Sequence, residues 1–185
     1  MIQLKNVTFA YEDKEIITDY NLEIASGQRV CLFGESGKGK TTLLRLLAGL
    51  EKPLSGSISG VQDKRFSVVF QEDRLLPHLS VLDNVALVGS RERAKELLGA
   101  LALGDCLDMK PQELSGGMSR RVAIARALCA QYDVLLLDEP FNGLDEELVK
   151  SVAGLINSEL AGRTLVLVTH NEEHIHLLSA TKILI

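Results

Sequence analysis

Apolar and polar positions along the chain fall into three regimes. Over the first sixty residues, short β-like runs alternate with turns: "IQLKNVTFAY" (2–11), "EIITDYNLEI" (15–24) and "SGSISG" (55–60). Between them, "RVCLF" (29–33) is an apolar run that fits a strand buried on both faces. A glycine-rich segment follows it, and "TTLLRLLAGL" (41–50) reads as a buried helix. A further β run, "FSVVF" (66–70), ends at Gln71.

From Glu72 to Gln131 the pattern turns mostly helical. Ala94, Leu97, Leu98 and Leu101 recur at helical spacing, and Ser119–Gln131 reads as a helix preceded by Ser115, Gly116 and Gly117. Alternation of strand and helix then resumes with "VLLL" (134–137), a helix over 145–160, "TLVLV" (164–168) and a last strand in "TKILI". In the 145–160 helix the expected inward positions are Leu148, Val152, Leu155 and Ile156. The prediction is an α/β fold with a mainly parallel sheet. It is one domain over 1–185, with an inserted helical subdomain at about 72–131.

Composition changes this picture little. With 46% hydrophobic residues the chain can bury a core, so a disordered protein is excluded. A net charge of −5 argues against nucleic acid as a partner. Cys31, Cys106 and Cys129 have no CxxC spacing and read as core or surface thiols, not as disulfides or metal ligands. Met1 leads into "IQLKNVTF" without a basic start or a cleavage site, and no apolar run is long enough for a bilayer. The expected location is the cytoplasm.

The chemistry concentrates in two segments. Residues 34–41, "GESGKGKT", fit G-x-x-x-x-G-K-[ST] between a buried strand and a helix. Glycines let successive backbone N–H groups converge on phosphate oxygens, and the helix adds its positive end. Gly34, Glu35, Ser36, Gly37, Lys38 and Gly39 supply that cradle, with Thr42 in the first helical turn. Lys40 would reach the β- and γ-phosphates, and the Thr41 hydroxyl would ligate Mg²⁺. The second segment, "VLLLDEP" (134–140), ends a strand in Asp138, a carboxylate for the metal, and Glu139, a candidate general base. An acidic turn after a strand is the plain alternative for a lone Asp-Glu pair. Gln71 and His170 each follow a β run, which in a parallel sheet turns them toward the ligand crevice. Tyr11 is either ordinary packing or a platform for adenine. Ser115, Gly116 and Gly117 offer a hydroxyl and free N–H groups to a second anion.

Taken in order, these motifs resemble the nucleotide-binding subunits of ATP-binding-cassette (ABC) transporters over essentially the whole chain. The match comprises Tyr11, the loop at 34–41, Gln71, "LSGGM" (114–118), "VLLLDEP", "GLD" (143–145) and His170. The resemblance implies a P-loop NTPase fold with an N-terminal antiparallel β subdomain and an inserted α-helical subdomain. It implies ATP and Mg²⁺ as cofactors, with Thr41, Gln71 and Asp138 at the metal and Glu139, His170, Gln71 and Lys40 in catalysis. It also implies a head-to-tail homodimer in which Ser115, Gly116 and Gly117 cap the ATP held by the partner's phosphate loop. "DEPFNGLD" resembles importer-type subunits, and "VFQEDRLLPHLSVLDNV" (69–85) is similar to those serving nitrate, sulfonate, taurine or thiamine-precursor uptake. Transmembrane permease subunits and a substrate-binding protein follow as partners, with attachment to the cytoplasmic face of the membrane. The chain departs from the family at Met118, where glutamine is usual, and it ends before the family's usual C-terminal elements. The alternative is a soluble ABC ATPase outside transport, such as an iron–sulfur assembly ATPase.

Overall fold

The computed structural model describes every residue except Asp13 and Ser36. Strands β1 (Ile2–Tyr11), β2 (Lys14–Ile24) and β4 (Ser55–Ser59) form an antiparallel sheet in the order β2-β1-β4. The second sheet contains β3 (Arg29–Phe33), β5 (Phe66–Val69), β6 (Val134–Asp138), β7 (Thr164–Val168) and β8 (Thr181–Leu184). Its order is β5-β6-β7-β3-β8, and every pairing is parallel. Helices α1 (Lys40–Leu47), α2 (Val81–Ala86), α3 (Arg91–Ala100), α4 (Gly116–Cys129), α5 (Glu146–Leu160) and α6 (Glu172–Leu177) complete the fold.

The parallel strands are apolar on both faces because each face meets a different core. Cys31, Leu135, Leu137, Leu165 and Leu167 point to the side of α2–α5. The alternate residues Val30, Leu32, Val134, Leu136, Val166 and Val168 pack with α1 and the antiparallel sheet. Pleating sends successive side chains to opposite faces, so an unbroken apolar run serves two cores at once.

Three expectations are corrected. Helix does not begin at Glu72: residues 72–80 run as loop, with Pro77 in it and Arg74 at φ 47°, and α2 starts only after the Ser80 cap. The signature helix starts at Gly116 rather than Ser119, because the Ser115 hydroxyl accepts the Met118 N–H (3.2 Å) as its N-cap. The two glycines therefore occupy its first turn. In α5 the buried stripe is Val149, Val152, Ala153, Ile156 and Leu160, while Leu148 and Leu155 are half-buried. The Asp145 cap sets that start, and the stripe lies one position away from the two leucines.

The irregular segment 72–80 is held by one buried side chain. Asn84, fully buried on α2, accepts the Leu76 N–H (2.8 Å) and donates toward the carbonyls of Leu76 (3.1 Å), Leu79 (3.2 Å) and Ser80 (3.0 Å). Each net bond contributes about 1 kcal/mol, and buried orphans cost more. Asn84→Ala should thus lower stability by about 2–3 kcal/mol. In a thermal melt this is roughly a 5–10 °C fall for a chain of this size. A change below about 1 kcal/mol would show that the loop is held by other means.

Candidate functional site

Loops after β3, β6 and β7 leave the sheet side by side, because β7 lies between β6 and β3. Outside the carboxyl ends of these strands is a cavity of about 570 Å³. Ligands of open α/β sheets bind at such an edge. It is lined by Gly34, Gly37 and Gly39 of the first loop, Lys40, Thr41 and Thr42 at the start of α1, Gln71 after β5, Asp138, Glu139 and Asn142 at and after the end of β6, and His170 after β7.

The phosphate loop adopts backbone angles that a side chain resists. Gly37 has φ 84° and Gly39 φ 83°. A Cβ at Gly39 would sit 3.0 Å from Ile16 Cγ2 and 3.1 Å from Ile17 Cγ1, so this position is closed by space as well as by angle. Gly39 is also the N-cap of α1 and supplies no side-chain acceptor, which leaves first-turn N–H groups for an anion. Lys40 Nζ donates to the carbonyls of Gly34 (2.8 Å) and Glu35 (2.7 Å), folding the lysine over its own loop. Ser36 lies outside the described residues, and Glu35 and Lys38 are exposed on the loop without lining the cavity.

Across the cavity, the Thr41 hydroxyl donates to Asp138 Oδ2 at 2.7 Å. Asp138 is only 2% exposed. Burial pushes its carboxyl above the ordinary range; the Thr41 bond opposes this, and Glu139 adds to it. Glu139 follows with φ 47°, its N–H donated to Val168 O (2.9 Å). His170 Nδ1 donates to Glu139 Oε1 at 2.9 Å, while Glu139 Oε2 is buried without a hydrogen-bond partner among the described residues. His170 itself is 74% exposed.

The donor set fits a magnesium–nucleotide pair. Among the described residues no cluster of three or more His, Cys, Asp or Glu side chains could hold a metal alone. One buried carboxylate beside a hydroxyl and a phosphate cradle is the arrangement that Mg²⁺ accepts, since substrate phosphates and water supply its remaining ligands.

Other predicted residues are not brought to this cavity. Ser115, Gly116 and Gly117 do not line it; Gly117 packs beside Gly143 and Leu144, where a Cβ would meet Gly143 O at 3.0 Å. Tyr11 is half exposed, stacks edge-on with Phe9 and reaches Glu51 at 3.5 Å. Its register partner Lys14 and the nearby Ile16 line the cavity instead. Sequence reasoning passed over both, and the hairpin joining β1 to β2 was the available signal. It also passed over Arg120. This buried residue of α4 donates to Phe70 O (2.7 Å) and Gln71 O, and it lies 3.1 Å from Asp73 without hydrogen-bond alignment. The signature helix therefore holds the backbone of Gln71.

The raised Asp138 pKa has a defined consequence for stability. As pH climbs above the ordinary value, the unfolded chain loses this proton first, so the ionised carboxylate subtracts from stability at neutral pH. Asp138→Asn keeps an acceptor for Thr41 and removes the buried charge. Its Tm without nucleotide should rise by a few degrees in calorimetry at neutral pH, while Mg²⁺-dependent ATP affinity falls. A lower Tm would mean that the charge is compensated within the protein.

Comparison with known proteins shows the family. The family model for ABC transporters matches residues 17–142. The chain is 45% identical to the aliphatic sulfonates import ATP-binding protein of Rhodococcus jostii (strain RHA1), covering 96% of this chain and 76% of that protein. It is 40% identical to the thiamine import ATP-binding protein of Haemophilus influenzae (strain ATCC 51907 / DSM 11121 / KW20 / Rd), covering 92% and 87%. A dimeric structure of a bacterial ABC transporter cassette superimposes with a TM-score of 0.85 at 32% identity, covering 96% of this chain and 91% of that one. A second structure of that cassette, in a post-hydrolysis state bound to ADP and Pi, superimposes equally well. A glycine loop, a buried carboxylate and a histidine-held glutamate thus meet in a chain that belongs to the ABC transporter family, as one of its ATP-binding ATPase cassettes.

Proposed function

We propose that the cavity at the carboxyl ends of β3, β6 and β7 is the hydrolytic centre of an importer's motor subunit, with Glu139 as general base. One observation carries this reading: Glu139 lines the cavity, His170 holds one carboxylate oxygen, and the other is buried with no partner among the described residues. A buried acceptor left without a bond is costly unless a ligand or water completes it. An attacking water there meets a carboxylate positioned to take its proton.

The remaining roles follow from the chemistry of each group. Backbone N–H groups over 34–39 and at Thr42 receive phosphate oxygens, and Lys40 supplies counter-charge. Thr41, Asp138 and Gln71 would hold Mg²⁺, which would supply counter-charge to the phosphates. Water attacks the terminal phosphorus, the bond to the ADP oxygen breaks, and Glu139 accepts the proton while His170 keeps its orientation. Tyr11 is offered as the adenine platform.

A homodimer completes the site. The Ser115–Gly117 turn is absent from its own chain's cavity, and it presents a helix N-terminus suited to an anion. The named relatives are import ATP-binding proteins, which supports a membrane permease and a substrate-binding protein as further partners and the cytoplasmic face of the membrane as the place of work. No helix among the described residues is long and apolar enough to cross a membrane. Aliphatic sulfonates and thiamine, named for relatives at 45% and 40% identity, are the first cargo classes to test. We read 1–185 as one cassette with its helical subdomain inserted at about 72–131.

Glu139→Gln preserves shape and removes the base. Its ATP hydrolysis should fall by about a hundredfold or more. ATP binding should persist, with a nucleotide-trapped dimer visible by size-exclusion chromatography. Hydrolysis near the wild-type rate would rule out the assigned role.

A further inference from the structure

His174 stands one helical turn beyond His170, in α6, and is held by the very loop that carries His170. Its Nδ1 lies 3.1 Å from Thr169 Oγ1 and its Nε2 lies 3.3 Å from Asn171 Nδ2. A neighbouring bond fixes the direction of both. Asn171 Oδ1 accepts the Glu173 N–H at 2.8 Å, capping α6, so the amide turns its NH₂ toward the ring. An amide NH₂ only donates, which requires a bare lone pair on Nε2. The neutral ring then carries its proton on Nδ1 and donates it to Thr169 Oγ1. That hydroxyl oxygen also accepts the Asn171 N–H at 3.1 Å.

Thr169 and Asn171 flank His170, so a single ring grips the loop on both sides of the residue that meets Glu139. The same ring packs edge-on against Phe141, with centroids 4.8 Å apart. Phe141 comes two residues after Glu139. His174 thereby touches both segments that present the Glu139–His170 pair, without touching either side chain of the pair by hydrogen bond.

We propose that His174, as the neutral Nδ1–H tautomer, is a positioning residue that keeps His170 on Glu139 during hydrolysis. The role rests on the reading of Glu139 and His170 given above; the tautomer does not. Protonation at Nε2 would set two donors face to face, N–H against NH₂, and release Asn171. The surroundings favour the neutral ring. Burial lowers its pKa below the ordinary value, Glu139 at the end of β6 and Glu173 in α6 oppose this, and His170 acts with burial.

The tautomer can be read directly. Protein carrying isotope-labelled histidine gives distinct ring-nitrogen shifts for the two neutral forms, and His174→Gln identifies the signal. Near neutral pH, the Nδ1–H form is expected; an Nε2–H ring, or exchange between the two, would overturn the proposal. Turnover supplies the second readout. His174→Ala should lower kcat about tenfold with KM for ATP changed less than about twofold. His174→Gln can accept from Asn171 and donate to Thr169, so it should recover most of that loss. A wild-type kcat in His174→Ala, or a Gln variant as slow as Ala, would count against the positioning role. If the Nδ1–H form is found but Glu139→Gln hydrolyses normally, the assignment of the base fails and the ring's state stands.

Discussion

Everything at the carboxyl edge of the sheet answers to one electrostatic problem at the end of β6. Asp138 is almost wholly removed from water, and a second carboxylate, Glu139, follows at once. Desolvation, with the Glu139 charge adding to it, disfavours ionising Asp138. Protein groups offset this only in part: the Thr41 hydroxyl on Asp138, Lys40 nearby, and His170 on one oxygen of Glu139. The Mg²⁺ and nucleotide proposed for this cavity would supply the balance, and a ligand that binds only the folded chain stabilises it.

Those loops lead to different parts of the molecule. Asn142 lines the main cavity, while Gly143 and Leu144 meet Gly117 at the start of α4. Arg120 on that helix holds the carbonyls of Phe70 and Gln71, and Asn84 on α2 holds the segment that follows. Arg126 adds bonds to the carbonyls of Asp73 and Arg74. Gln71 and the residues after it are thus tied by backbone hydrogen bonds to helices α2 and α4.

Much of this was legible in the sequence, and the physical reason differs from element to element. The parallel core could be read because "VLLL" and "TLVLV" are too short for helices and too apolar for a one-sided sheet. The loop at 34–41 could be read because Gly39, with a left-handed backbone and no room for a Cβ, has to be glycine. The onset of α2 and of α4 was misplaced because side-chain caps at Ser80 and Ser115 decide it, and periodicity does not register caps. Lys14 and Ile16 were missed because hairpin register, rather than any local pattern, brings them to the cavity. His174 carries no signal in one dimension: its tautomer follows from an asparagine oriented by a helix N-terminus.

The central claim is that each chain holds two complementary half-sites, a phosphate cradle and a separate Ser115–Gly117 turn that does not line it. Mixed dimers test this most directly. Lys40→Ala and Ser115→Arg subunits, carrying different tags, can be co-purified so that every dimer contains one of each. One composite site then bears both defects and the other bears neither. The account predicts ATP hydrolysis in the mixed dimer well above that of either parent homodimer. Verified mixed dimers with no more activity than the parents would contradict it: either the signature acts within its own chain, or both composite sites must fire together.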